Sequence, residues 1–183
     1  MTGDEAVAWL GSIFDDLSLS LIDAIPTASA TLNNRPVAMT VGFGQVDSGL
    51  VTDDAEALSV RCELVCTASQ PAFVLSKAVI AAASELERLA VPAQPGVLLE
   101  GLFAGVDSVG PTTVRHGYLR EPQMFAQGTP IYSEPGQITL LLELVALTDE
   151  EFSIGSTQGP LVMERRLRRR GVEVGDWARL SEG

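Results

Sequence analysis

Histidine occurs once, cysteine twice, and lysine and arginine together only 12 times in 183 residues. Each scarcity removes a class of chemistry. One histidine (His116) and two cysteines (Cys62 and Cys66) supply no ligand set for zinc, and no D-x-D-x-D loop offers calcium a cage. No G-x-S-x-G elbow accompanies His116, so a serine-based triad lacks its nucleophile. Gly42-Phe43-Gly44 begins like a dinucleotide-binding loop, but no third glycine follows and no helix is expected there. No cofactor is therefore expected. Basic residues are outnumbered by 24 acidic ones, for a net charge of −12, and such a field repels nucleic acid and anionic membranes. No apolar run is long enough to span a bilayer. The nearest, Ile138 to Leu147, is interrupted by Thr139 and Glu143. The opening Met1-Thr2-Gly3-Asp4-Glu5 lacks the basic start of a signal peptide, so the expected location is cytoplasmic. Aromatics make up only 5% of the chain, so leucine, valine, isoleucine and alanine must build the core.

The two cysteines reinforce this reading. Leu58 to Leu64 alternates apolar and polar residues, the two-residue period of a strand. On a strand that continues through Cys66 both thiols face one side but lie about 13 Å apart. A disulfide needs Cα atoms within about 7 Å. Free, buried thiols suit a reducing compartment.

What remains is ordinary globular material, 46% hydrophobic and 20% charged, of a length that suits one domain over 1–183. Val7, Leu10, Ile13, Phe14, Leu17 and Leu21 recur at helical steps and predict an amphipathic helix from Glu5 to Asp23, with Pro26 marking the stop. Pro36 to Val46 alternates as a strand, Asp47-Ser48-Gly49 turns, and a second strand from Leu58 to Thr67 is expected to pair with it antiparallel. Gln70 to Ala90 is the clearest helix: Leu75, Val79, Ala82, Leu86 and Leu89 form one seam, with Ser69 as its N-cap. Val97-Leu98-Leu99 and Val114 to Leu119 read as short strands. Glu121 to Gly136, with Pro122, Pro130 and Pro135, reads as one long loop of the kind that often carries function. Ile138 to Leu147 is apolar on both faces, as in a central strand covered on both sides. Its lone Glu143 must reach an edge or find a partner, because an isolated buried carboxylate is costly. Thr148-Asp149-Glu150-Glu151 opens a helix with a capping side chain and carboxylates in the first turn. Gln158-Gly159-Pro160 opens the last helix, which Gly171 closes after Arg170. The expected fold class is α/β, an α+β sandwich with a mixed, largely antiparallel sheet flanked by helices.

Five of the 12 basic residues fall in Arg165-Arg166-Leu167-Arg168-Arg169-Arg170. No aromatic interleaves them, so the run reads as a solvated helix end, as pairing with the acidic body, or as a self-association patch.

The stretch Gln137 to Glu151, an apolar strand entering Leu147-Thr148-Asp149-Glu150-Glu151 and followed by a helix near Leu161, resembles the suppressor-of-fused domain family. In that family an apolar strand leads into a "lvPlt-eEl" stretch and a short helix. Arg61-Cys62-Glu63-Leu64-Val65-Cys66 is similar to the family's earlier "yEl" strand, and the Leu75–Leu89 helix follows in the expected order. The likeness spans roughly residues 58–170; Ala146 stands where the family commonly has proline. The resemblance implies a protein-binding domain without catalytic activity, and among bacterial members an immunity protein that binds and neutralises a toxin. An acidic surface suits a basic toxin or nuclease as partner, and Glu121, Glu134, Asp149, Glu150 and Glu151 are the surface candidates for that contact. The rival from another class is a small-molecule-binding or hydrolytic enzyme using His116 and the proline-rich loop, which requires a pocket bringing His116 to a carboxylate or thiol. A third is a structural subunit that dimerises through its arginine-rich helix.

Overall fold

The computed structural model describes residues 1–53, 55 and 57–180. The first helix, α1 (Gly3–Ile13), is closed by a capping box. Thr2 accepts the Glu5 N–H, and Glu5 accepts the Thr2 N–H. Ala6, Trp9 and Leu10, three and four residues apart, form its buried face. The helix ends at Ile13 rather than running on to Asp23, because the chain extends at Phe14 and enters β1 (Ser18–Ile22). Leu17 and Leu21, four apart, satisfy the helical and the two-residue period equally; the intervening Ser18, Leu19 and Ser20 decide for the strand.

Next come β2 (Ile25–Leu32) and β3 (Arg35–Thr40), which form an antiparallel meander with β1. Both turns have two central residues at positive φ, Asp23-Ala24 and Asn33-Asn34, the mirror-image turn that matches strand twist. No apolar alternation announces β2, whose Thr27, Ala28, Ser29, Ala30 and Thr31 are small. The third strand stops at Thr40, short of Val46, and a 3-10 turn follows at Phe43–Gln45. The turn expected at Asp47-Ser48-Gly49 is present, with the Gly49 N–H on the Asp47 carboxylate.

The fourth strand, β4 (Ser59–Thr67), pairs antiparallel with β3 as expected. It leads into α2 (Ala72–Leu89), whose N-terminus is Pro71 with no side-chain cap; the Ser69 N–H instead donates to the Gly175 carbonyl. Leu75, Val79, Ala82 and Leu86 of the predicted seam are buried, while Leu89 lies outside the core. Ala90 closes this helix at φ +51, with its N–H on the Leu86 and Glu87 carbonyls. Any L side chain is strained in that conformation, and Ala90→Gly is expected to stabilise the protein by up to about 1 kcal/mol. A higher urea midpoint at unchanged slope would show it.

The remaining elements are β5 (Leu98–Leu99), β6 (Val114–Arg120), β7 (Ile131–Glu134), β8 (Gln137–Thr148), α3 (Asp149–Gln158) and α4 (Pro160–Arg170). The proline-rich stretch is thus not wholly a loop. Four of its residues form β7, a hairpin partner of β8, too short between Pro130 and Pro135 to register as a pattern.

The sheet order is β1-β2-β3-β4-β8-β6-β5. The β4–β8 pair is parallel and the other pairs are antiparallel. One edge of β8 lies along β4, and the other is shared by β7 and β6. Alternation then sorts its side chains. Leu142, Leu144 and Ala146 join Cys62, Leu64 and Cys66 under α2. Leu141 packs with α1, and Val145 and Leu147 with Ile154 and Met163 of α3 and α4. Covering on both faces explains the near-continuous apolar run. Both thiols are free and buried, and burial pushes Cys62 up to about 12 and Cys66 upward also, with the Glu63 and Glu143 carboxylates adding to the shifts.

Candidate protein-binding site

The central strand ends in the acidic turn that the sequence singles out. Thr148 caps α3, and Glu151 returns the bond in a capping box. This cap sets the direction of the three carboxylates that follow. Asp149 points outward, its side chain 71% exposed, and accepts a hydrogen bond from His116 Nε2 at 2.9 Å. Glu150 reaches Arg170 at 3.3 Å. Glu151 turns inward, where Arg179 bonds both of its oxygens at 2.6 and 3.0 Å. Arg179 also donates to the carbonyls of Ala146, Val174 and Asp176. It thereby ties the segment after α4 to the end of β8, while Trp177 packs edge-on against Phe103.

The other two candidates stand apart. Glu134 belongs to β7 opposite Gln137, at the start of β8, about 36 Å along that strand from Asp149. It holds the Met1 amino group at 2.8 Å. Glu121 follows Arg120, the last residue of β6 and opposite Glu143 at the middle of β8, and lines a groove of about 650 Å³ between β6 and α4, together with Pro95, Tyr118, Pro122 and Pro160. The structure thus gathers Asp149, Glu150 and Glu151 into one turn and does not bring Glu121 or Glu134 to it.

His116 does have a carboxylate beside it, as the enzyme alternative requires. Its ring, however, is fully engaged. Nδ1 accepts the Gly101 N–H at 3.0 Å, so a neutral ring carries its proton on Nε2 and donates it to Asp149. One ring face stacks on Phe152 at 4.1 Å. No lone pair is left to act as a base. Residue 116 pairs with Leu147 while β7 pairs no further than Leu140, which separates the histidine from that part of the proline-rich stretch by about 23 Å. Within the arginine-rich helix, Arg170 pairs with Glu150, and Arg166 bonds Gln158. Among the described residues no group of three histidine, cysteine or carboxylate side chains has the arrangement of a metal site. Nor is any of their helices long and apolar enough to cross a membrane.

Of two buried carboxylates, Glu143 has the partner its apolar strand demands, whereas the cage around Glu63 has no signal in the sequence. Glu143 is only 5% exposed and is met by a bidentate Arg120 and the Gln123 N–H. Glu63 is fully buried, and its oxygens accept four hydrogen bonds, from Thr40 Oγ1 and from the N–H groups of Gly42, Phe43 and Gly44. The glycine pair that resembles a nucleotide loop therefore cages an internal carboxyl group.

No family model matches the chain, and no curated protein matches its sequence. Solved structures do. A suppressor-of-fused homologue from Neisseria gonorrhoeae aligns over 98% of this chain and 95% of its own, at 13% identity and a TM-score of 0.71. A chain of the Sufu–Fu complex aligns over 98% of this chain and 91% of its own, at 9% identity and a TM-score of 0.63. Drosophila Suppressor of Fused aligns over 98% of this chain at 9% identity and a TM-score of 0.58, and there the chain spans 51% of the longer protein. The likeness extends beyond residues 58–170 to the N-terminal helix and meander. The α/β fold of this divergent sequence is the suppressor-of-fused fold.

Proposed function

We propose that the protein is a non-catalytic, cytosolic protein-binding domain, an immunity protein that neutralises a basic toxin or nuclease by covering its surface. The observation that carries this reading is the acidic turn after β8. It stands on a central strand covered on both sides, presents Asp149 to solvent, and belongs to a chain of net charge −12. Such a field speeds encounter with a basic partner and disfavours acidic ones. The fold supports it as well, since a structure that shares it was solved as a Sufu–Fu complex. Asp149 and Glu150 are the central contacts and Glu121 a peripheral one. Glu134 and Glu151, whose side chains are the less exposed, add to the field.

Affinity capture from native cytosol at low and moderate salt supplies the partner. The Asp149→Lys/Glu150→Lys protein is then expected to bind it about tenfold more weakly at low salt, chiefly through slower association. Unchanged binding by that variant would remove the acidic turn from the interface. Failure of the wild-type protein to retain any basic protein would remove the reading itself.

A further inference from the structure

The meander ends the sheet at β1, and that edge is unusual in two ways. Natural edge strands are commonly blunted by a charge, a proline or a bulge. Ser18-Leu19-Ser20-Leu21-Ile22 has none of these, and Leu19 and Leu21 stand 58% and 73% exposed. Backbone parity shows what the edge offers. The Pro26 carbonyl accepts from Val41, so even-numbered residues of β2 bond toward β3. Odd-numbered ones face β1: Thr27 lies against the Ser20 carbonyl, and the Thr31 N–H bonds Asp16. In β1, Ser18, Ser20 and Ile22 oppose odd-numbered partners and so turn their N–H and C=O groups into the sheet. Leu19 and Leu21 turn theirs outward. Among the described residues no strand pairs with that edge.

The second feature is charge. The first basic residue of the chain is Arg35, while Asp15 and Asp16 precede β1 and Asp23 follows it. An antiparallel second copy would set Asp15 and Asp16 of one chain against Asp23 of the other, which disfavours self-pairing. A strand with basic ends meets no such repulsion.

We propose that the outer edge of β1 is a docking site for an extended segment of another protein, apolar at alternate positions and carrying lysine or arginine at both ends. The segment adds a strand beside Leu19 and Leu21, and its basic ends pair with the flanking aspartates. This rests on the reading of the domain as a protein binder but uses a different surface, four strands or about 19 Å across the sheet from β8.

The test is calorimetric titration of the full chain with a synthetic peptide of alternating valine and threonine, flanked by lysine pairs, and with its glutamate-flanked counterpart. The lysine peptide is expected to bind and the glutamate peptide not to. Leu21→Pro removes an outward N–H without breaking a bond to β2, and is expected to weaken binding about tenfold. Asp15→Asn/Asp23→Asn removes both charges, and asparagine suits the positive φ of residue 23; it should weaken binding and flatten its salt dependence, so the result does not depend on one variant's folding. Asp149→Lys/Glu150→Lys is expected to bind the peptide as wild type does, which separates this edge from the acidic turn. Equal binding by the two peptides, full binding by both β1 variants, or no binding by wild type would overturn the proposal. So would a dimer abolished by Leu21→Pro, which would assign the edge to a second copy.

Discussion

Glu63→Ala is expected to destabilise the protein by about 3 kcal/mol or more, because it removes the acceptor for several buried donors at once. Glu63 Oε1 accepts from Gly42 and Gly44 at 2.9 and 3.0 Å, and Oε2 from Thr40 Oγ1 and Phe43 at 2.6 and 3.1 Å. The three N–H groups belong to a turn that makes no regular sheet bonds, so the carboxylate takes the place of a missing strand. Glu63→Gln keeps the shape but faces donors with an amide. Thr40 can reverse its hydroxyl and accept, whereas at least one N–H loses its acceptor, for an expected loss of about 2 kcal/mol. Chemical denaturation of the two variants beside wild type measures both steps. The pH dependence has a definite sign. Burial raises the Glu63 carboxyl above its ordinary range, with Thr40 and the three N–H groups pulling it back. Across the window from the ordinary glutamate value up to the raised one, the unfolded chain releases its proton first, so this residue's contribution to stability falls as pH rises. Glu63→Gln removes that contribution, and the curve should flatten there.

How far the sequence speaks for the fold depends on whether a side-chain pattern belongs to one structure only. The α2 seam and the doubly apolar β8 each fit one period and one length, and both stand where the pattern places them. Thr148-Asp149-Glu150-Glu151 names its own cap, and the capping box is present. The failures have the opposite character. Leu17 and Leu21 fit two periods, while the small residues of β2 fit none. Long-range partners leave no local trace at all. Nothing near Glu151 in sequence indicates Arg179, which reaches it from 28 residues away. Asp149 and Glu150 could be read as a charged helix start, but that Asp149 stays largely exposed while Glu151 is buried by an arginine depends on where the C-terminal segment returns. The exposed edge of β1 was hidden for the same reason that β1 was: the leucines that look like a helix face in the sequence are side chains of an unpaired strand.

The buried Arg120–Glu143 pair makes the second large prediction, and its sign depends on which partners are removed. The residues sit opposite each other on β6 and β8, with both carboxylate oxygens bonded at 2.9 Å and side-chain exposures of 12% and 5%. Arg120→Met strands Glu143 in a core flanked by Leu141 and Val145, and is expected to be destabilising by about 3–5 kcal/mol. The Arg120→Met/Glu143→Leu protein, in contrast, replaces an ion pair that was desolvated on folding with apolar packing, and is expected to be as stable as wild type or more so. A double-mutant cycle by urea unfolding would then give a large coupling energy alongside a small net contribution. If the double variant is as unstable as the single, the pair is a net stabiliser and Gln123, whose N–H also bonds Glu143, belongs to the same cooperative unit. In the expected case the pair's value lies in what it positions. Arg120 lines the groove between β6 and α4 beside Glu121 and Pro122, so the stable double variant would carry an altered groove on an intact fold. Comparing its affinity for the captured partner with that of wild type would then read the groove's part in binding without a stability loss to confuse it.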